Sequence, residues 1–410
     1  MTIESRFFES TNRRMNIFIP LVIAISMFAN TLFFVDTPWF LVLAFLFLGY
    51  KHFEQKFGNS RVLIAFLLSW AIINLVAFVY HRTGFSVITF FGYAIRMSIA
   101  FFLVHAWKSQ FWNKFESLIF IMTIVSLGFY CLNLIFPHLF NQIHVIFQPF
   151  TNNVYLQKDA QLYYWNNFFY THSGRNDLRN SGFMWEPGAF AMSSVLMIVY
   201  NWTKGGIKYS KRFWVYSLAI VTTLSTAGYI SLMLLIFSNS LKRLQGIIFI
   251  FLAITLVLLN PQVLYNDFLI PKIEQFIKEA EEDTVYSQEF SDRFEANRIA
   301  YFGINFLKSM DYPFGHGVIE DRSSSASSLK IVGVGGLAEV LYKWGFVGLI
   351  GFLWVIFKLL IIYLPISTKK IQHISIFGAI IIPLFSNPIE NTLIGFMILF
   401  SFYLPNRHFK

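Results

Sequence analysis

The chain has 410 residues, of which 56% are hydrophobic and only 13% charged, where a soluble domain carries roughly 25% charged residues. That balance excludes a soluble globular protein. The net charge of +10 does not indicate nucleic acid, because the Lys and Arg residues are scattered between apolar runs, as the positive-inside rule distributes them.

Apolar runs suited to crossing a bilayer recur along the chain, and the expected fold is an all-α, polytopic membrane helix bundle of about twelve segments. Met1 to Asn16 is polar and no small-residue cleavage site follows, so the first helix is expected to be retained. The first five segments are expected at Ile17–Val35, Pro38–Tyr50, Val62–Tyr80, Phe85–Trp107 and Phe115–Phe136. A polar loop, His138–Ser181, comes next, and then a sixth segment at Gly182–Trp202. Phe213–Ser225 and Tyr229–Ser240 read as a hairpin of two short segments turning at Ser225-Thr226-Ala227-Gly228. About 14 residues span only about 21 Å, short of a ~30 Å hydrocarbon core, so that turn should face a cavity; a single tilted helix is the alternative. Gly246–Leu259 precedes a second long loop, Pro261–Gly335, and the last segments are Leu337–Tyr363, Ile371–Phe385 and Ile389–Leu404. Residues 1–410 thus form a single polytopic domain with two long loops.

Placing the N-terminus inside puts Lys204, Lys208, Lys211 and Arg212 on the inner side with most other Lys and Arg residues. Both long loops then lie outside, the second with the acidic run Glu279, Glu281, Glu282 and Asp283. The single cysteine, Cys131, rules out an intrachain disulfide and a cysteine metal site.

The residues able to carry chemistry gather near the outer side. Arg179 stands at the outer end of the sixth segment, and Arg293 and Arg298 stand in a stretch that reads as an amphipathic helix through Phe306. Arginine binds phosphate through two parallel hydrogen bonds and stays charged, so these three suit a lipid-linked diphosphate; headgroup anchoring is the plain alternative. Arg96, mid-segment, has to face the bundle interior, where it either holds an anion or pairs with a buried acid. Glu186 follows Arg179 by two helical turns, which puts both on one helix face. It is a candidate general base or the partner that orients Arg179. Pro187-Gly188 opens the helix start, where backbone N–H groups can point at an anion. Glu339 opens the tenth segment, and Glu390 sits in the turn Asn387-Pro388-Ile389-Glu390-Asn391. His172, Arg175 and the aromatics Tyr163 to Tyr170 fill the first loop, as a sugar-stacking surface or an interface belt. Gly333-Val334-Gly335-Gly336 is no nucleotide loop, since no strand is expected before it and no Gly-Lys-Ser follows. No His/Asp/Glu set has metal spacing on a shared helix face.

The run Arg179-Asn180-Ser181-Gly182-Phe183-Met184-Trp185-Glu186-Pro187-Gly188-Ala189-Phe190-Ala191 resembles the R-x-x-G-x-x-x-E-P-G-x-F-A pattern of bacterial O-antigen and exopolysaccharide polymerases. That membrane family also contains the O-antigen ligases. Tyr312-Pro313-Phe314-Gly315-His316-Gly317 is similar to its P-x-G-x-G element, and Leu337 to Gly348 to its glutamate-bearing helix. Ser225-Thr226-Ala227-Gly228 lacks the arginine often found at that turn, and no histidine precedes the tenth segment as it does in many ligases.

The resemblance implies polymerisation of oligosaccharide repeat units carried on undecaprenyl diphosphate, at the outer face of the bacterial inner membrane with both termini cytoplasmic. Arg179, Glu186, Arg293 and Glu339 are then the catalytic candidates. Arg96, Arg175, Arg298, His172, His316 and Trp185 are the substrate-binding candidates. The expected transfer is metal-independent, needs no cofactor, and has membrane lipid, a chain-length regulator and a flippase as partners. Alternatives are an O-antigen ligase passing glycan to lipid A-core, weakened by the missing histidine, and a transporter or flippase. A transporter would show a polar path through the membrane or inverted repeats, whereas charge here clusters at the outer rim.

Overall fold

The structure, a computed structural model, describes residues 18–28, 38–54, 60–81, 87–139, 142, 165–166, 169–172, 178–240, 294–296, 298–317, 331–333, 336–365, 368–387 and 393–401. These residues are almost entirely helical. The helices are α1 (Phe18–Phe28), α2 (Pro38–Glu54), α3 (Arg61–His81), α4 (Val87–Ile135), α5 (Pro187–Gly205), α6 (Lys211–Thr222), α7 (Thr226–Ser240), α8 (Arg298–Asp311), α9 (Gly336–Tyr363), α10 (Lys370–Ser386) and α11 (Leu393–Ser401).

Among the described residues, four stretches are long and apolar enough to cross a bilayer: Arg61–Tyr80, Val87–His105, Gln110–Ile135 and Gly336–Tyr363. The segments expected at Phe85–Trp107 and Phe115–Phe136 fall within α4 as its two apolar stretches, Val87–His105 and Gln110–Ile135. The expected segment Gly246–Leu259 and most of the second loop, including Arg293, lie outside the described residues, as does Arg175.

The packing shows how an apolar sequence sorts its faces when both surroundings are apolar. On α3, Ile64, Leu68, Ile72, Leu75 and Val79 are exposed, whereas Trp70, Asn74 and Ala77 are buried. Both sets recur at helical spacing, so one stripe faces outward and the other faces the bundle. Outward stripes of this size are foreign to soluble proteins and suit lipid. With lipid outside, close packing rather than exclusion of water holds helices together. The bundle interior accordingly carries fully buried Trp70, Trp202, Tyr216, Phe101, Phe111 and Phe115.

Two short ladders interrupt the helices among the described residues. β1 (Trp165–Asn166) pairs antiparallel with β2 (Thr171–His172), and β3 (Phe294–Ala296) pairs parallel with β4 (Ile331–Gly333). β4 thus does precede the glycines that open α9, against expectation. Helical periodicity before Arg298 was misleading, because residues 294–296 find a strand partner some 35 residues downstream in β4, a pairing that local pattern does not reveal.

α6 and α7 are separate helices, as the hairpin reading requires, but the turn is Thr223–Ser225 and Thr226 to Gly228 are already helical. Leu224 adopts φ 48° there, a left-handed conformation unusual for a leucine. Thr223 stabilises the turn, its Oγ1 accepting from Ser225 N at 3.2 Å and donating to Ile220 O at 2.7 Å.

Candidate functional site at one end of the bundle

The run that begins at Arg179 is not helical until Pro187. Glu186 is the N-cap of α5 with φ −151° and ψ 157°, and its side chain does not cap the helix. Proline fits the first helical position, and the residue before a proline is driven to extended backbone. This corrects the expectation that Arg179 and Glu186 share a helix face: the segment between them is a loop.

Asn180 organises that loop. Its Oδ1 accepts from Gly182 N at 2.8 Å, and its Nδ2 donates to Thr222 Oγ1 at 2.9 Å. Its backbone N–H donates to Thr222 O at 2.9 Å. Gly182 has φ 56°, and any Cβ there would collide with the Phe190 ring. The glycine of the run is thus required by the turn. Arg179 Nε donates to Thr223 O at 3.3 Å, which holds the guanidinium against the α6–α7 turn. Thr171 N donates to Gly182 O at 2.6 Å, so buried His172 stands next to a residue bonded to the run. The first-loop residues dock on α4 through Tyr130 OH, which donates to Leu178 O at 2.5 Å. Burial pushes the Tyr170 phenol above its ordinary value, so it stays neutral while its oxygen accepts from Asn133. Trp185 is half-buried and packs against the core.

The second part of the site is a break in α9. Gly345 has φ 63° and ψ −165°, which divides the helix into two arms. A break leaves carbonyl and N–H groups without helical partners. The Pro313–Gly317 segment after α8 supplies them. His316 N donates to Tyr342 O at 2.8 Å, Gly317 N donates to Lys343 O at 3.1 Å, and Val347 N donates to Pro313 O at 3.3 Å. A Cβ on Gly345 would lie 2.1 Å from Pro313 O. The two motif-like pieces, far apart in sequence, are therefore one interlocked unit. The His316 ring stacks on Tyr342 with centroids 4.7 Å apart and meets Tyr312 edge-on at 5.1 Å. Those contacts make it a brace for the break.

Just before the break, Lys343 Nζ lies 3.1 Å from Glu339 Oε2. The same ammonium donates to Tyr93 OH at 2.6 Å and sits 5.2 Å over that ring. Arg96 is half-buried three residues after Tyr93 on α4, hence on the same side. Arg298 opens α8, the helix that leads into Pro313–Gly317.

Asn387, at the end of α10, joins the two parts: Gly188 at the start of α5 and Gly336 at the start of α9 both pack on it. Asn387 is 1% exposed. Its Nδ2 donates to Pro383 O at 2.7 Å, and its Oδ1 has no hydrogen-bond donor among the described residues. Glu186, Glu339, Lys343 and Asn387 thus gather at one end of the bundle, with Arg179 on the neighbouring turn. Sequence reading missed Lys343 and Asn387. A lysine inside an apolar run was the available signal for the first; Glu390 drew attention away from the second, and Glu390 lies outside the described residues.

Beside this polar cluster runs an apolar groove of about 440 Å³, lined by Phe66 and Ile73 of α3, Val340, Trp344 and Phe352 of α9, and Phe396 of α11. Trp70 joins the groove to the polar groups, packing on its Trp344 at 4.6 Å and on Tyr93 at 5.1 Å. A smaller apolar cavity of about 130 Å³ lies at the far end, near Trp112, Tyr200 and Ser401.

Comparison with protein-family models, curated proteins and solved structures gives no match.

Proposed function

We propose that the protein is a membrane glycosyltransferase that polymerises oligosaccharide repeat units carried on undecaprenyl diphosphate, as its resemblance to the O-antigen polymerases implies. The observation that carries the reading is the juxtaposition of a polar cluster and an apolar groove on the same helix. Glu339 and Lys343 belong to the cluster, and Val340 and Trp344 line the groove. An amphiphile with an anionic head and a long apolar tail fits that arrangement. On this reading about twelve segments cross the bacterial inner membrane, with the cluster at its outer face and both termini inside.

In the transfer, the acceptor hydroxyl oxygen forms the new glycosidic bond to the anomeric carbon of the donor. The bond from that carbon to the diphosphate oxygen breaks, and the diphosphate leaves with the electron pair on its lipid. The hydroxyl proton passes to a carboxylate, Glu339 or Glu186. Arg179, Lys343 and Arg96 stabilise the leaving charge, where fixed cations in a water-poor site act most strongly.

The test is the lipid-linked glycan of cells lacking this protein. A single repeat unit should accumulate on the outer leaflet. The same unit trapped on the inner leaflet would establish a flippase instead, and full-length polymer left on its carrier would establish a ligase.

A further inference from the structure

We infer that the Lys343–Glu339 pair is an exchange switch: a diphosphate entering the site takes Lys343 as its counter-ion and leaves Glu339 without the ammonium. The inference rests on the lipid-diphosphate reading and names the part of that site that senses the anion.

The pair has the features such an exchange requires. Glu339 is buried and Lys343 nearly so, at 7% and 12% side-chain exposure, with 3.1 Å between Nζ and Oε2. While they are paired, one carboxylate oxygen faces the ammonium rather than an acceptor hydroxyl. Lysine carries a compact charge on a flexible four-carbon stem, so the ammonium can turn to a new partner without backbone movement. The backbone is in any case held, because the Tyr342 and Lys343 carbonyls are bound by His316 and Gly317. Tyr93 OH, at 2.6 Å from Nζ, provides a pivot through which the ammonium stays solvated as it turns.

Charge sets the direction of exchange. Coulomb attraction scales with the product of charges and is strong where the dielectric is low. A diphosphate carries more negative charge than a carboxylate, and Arg96 on the Tyr93 side of α4 adds a second cation to its attraction. The anion therefore displaces Glu339 from Lys343. A buried carboxylate that loses a neighbouring ammonium is destabilised, and taking a proton relieves this. The acceptor hydroxyl is the proton source in the transfer written above. Base strength is thus generated only when the donor is in place.

The exchange makes the two partners act oppositely on binding, which a purely structural ion pair would not. The experiment measures the affinity of purified protein in detergent for undecaprenyl diphosphate. Glu339→Gln removes the competitor and should bind at least about tenfold more tightly, while its transfer rate falls. Lys343→Gln should bind at least about tenfold more weakly. Where Lys343→Gln does not fold, the double variant Lys343→Gln/Glu339→Gln, which removes both charges together, has to bind more weakly than Glu339→Gln alone. Unchanged or weaker binding by a monodisperse Glu339→Gln protein overturns the exchange. Wild-type protein that shows this order of affinities but forms no polymer removes the polymerase reading and leaves the exchange standing. Wild-type protein that polymerises, with Glu339→Gln binding no tighter, does the reverse. Wild-type protein that binds no undecaprenyl diphosphate removes both.

Discussion

Two buried carboxylates at opposite ends of the bundle, Glu116 and Glu339, are partnered in different ways. Glu116 is fully buried. It accepts hydrogen bonds from Asn201 Nδ2 at 2.9 Å and Tyr216 OH at 3.0 Å, and it is ion-paired with Arg212. Those partners come from α5 and α6, so the acid on α4 ties three helices together. Asn201 lies fourteen residues after Pro187, about 21 Å along α5 at 1.5 Å per residue, which puts this cluster far from the candidate site. Glu339 pairs instead with Lys343 on its own helix. A pair within one helix, one turn apart, joins no helices by itself. It also stands next to a helix break and a groove. Burying a charge is equally expensive in both places. In the first the gain is assembly of the bundle; the second adds one tie to α4 through Tyr93 and stands beside the break and the groove, which is why it reads as a site.

The contrast predicts which losses follow each substitution. Arg212→Met leaves Glu116 buried without its counter-ion and should destabilise the protein by about 3–5 kcal/mol, read as the unfolding midpoint in detergent. Glu339→Gln leaves Lys343 bonded to Tyr93 and should lower that midpoint less, while slowing transfer by about 10²- to 10⁴-fold, the usual loss for a general base. Equal destabilisation by the two would erase the distinction between tie and site.

Gly345→Ala tests whether the break in α9 is required. A side chain there meets Pro313 O and is held at a positive φ; strain of that kind amounts to about 1–3 kcal/mol before the collision is counted. The variant should undock Pro313–Gly317 and lower transfer together with stability. Wild-type protease resistance of the region around Pro313 would show that the break tolerates a side chain.

Arg179→Lys keeps the charge and loses the planar fork. Losing one hydrogen bond to a charged group, about 1.5–3 kcal/mol, should slow transfer roughly 10- to 150-fold at 1.4 kcal/mol per decade. Activity within about twofold of wild type, only ~0.4 kcal/mol, would leave Arg179 as a membrane anchor. The smallest effect is expected for Tyr130→Phe, which loses the bond to Leu178 O and should cost about 0.5–1.5 kcal/mol in stability, with transfer by the folded protein unchanged. A rate loss larger than the stability loss would bring the first loop into the chemistry.

How far the sequence shows these features depends on how local they are. The division between α6 and α7 was legible because charge placement demanded it, although each segment is short of a full crossing. The run from Arg179 was legible as a unit because arginine, glycine, glutamate and proline are all rare at a segment mouth. Its geometry was not, since helical arithmetic was carried across residues that Asn180 and Pro187 hold in a loop. Arg179 and Glu186 are brought to the site by different means, the first by Thr223 and the second by the helix start. The break at Gly345 was hidden because its hydrogen bonds come from Pro313–Gly317. The partnership of Lys343 with Tyr93 spans 250 positions, and that of Tyr216 with Glu116 spans 100. Periodicity and spacing carry no information at such separations; only packing decides which buried charges meet.

The end of the bundle holding Glu339, Lys343 and Arg179 is proposed to transfer glycan from a lipid diphosphate. The most direct test is the purified protein in proteoliposomes with undecaprenyl-diphosphate-linked repeat units from its own cell and no other enzyme present. The prediction is a ladder of polymer still attached to lipid, with one undecaprenyl diphosphate released for each bond formed, and loss of the ladder in Glu339→Gln protein. Donor that stays as single units, or a ladder undiminished in Glu339→Gln protein, would contradict it.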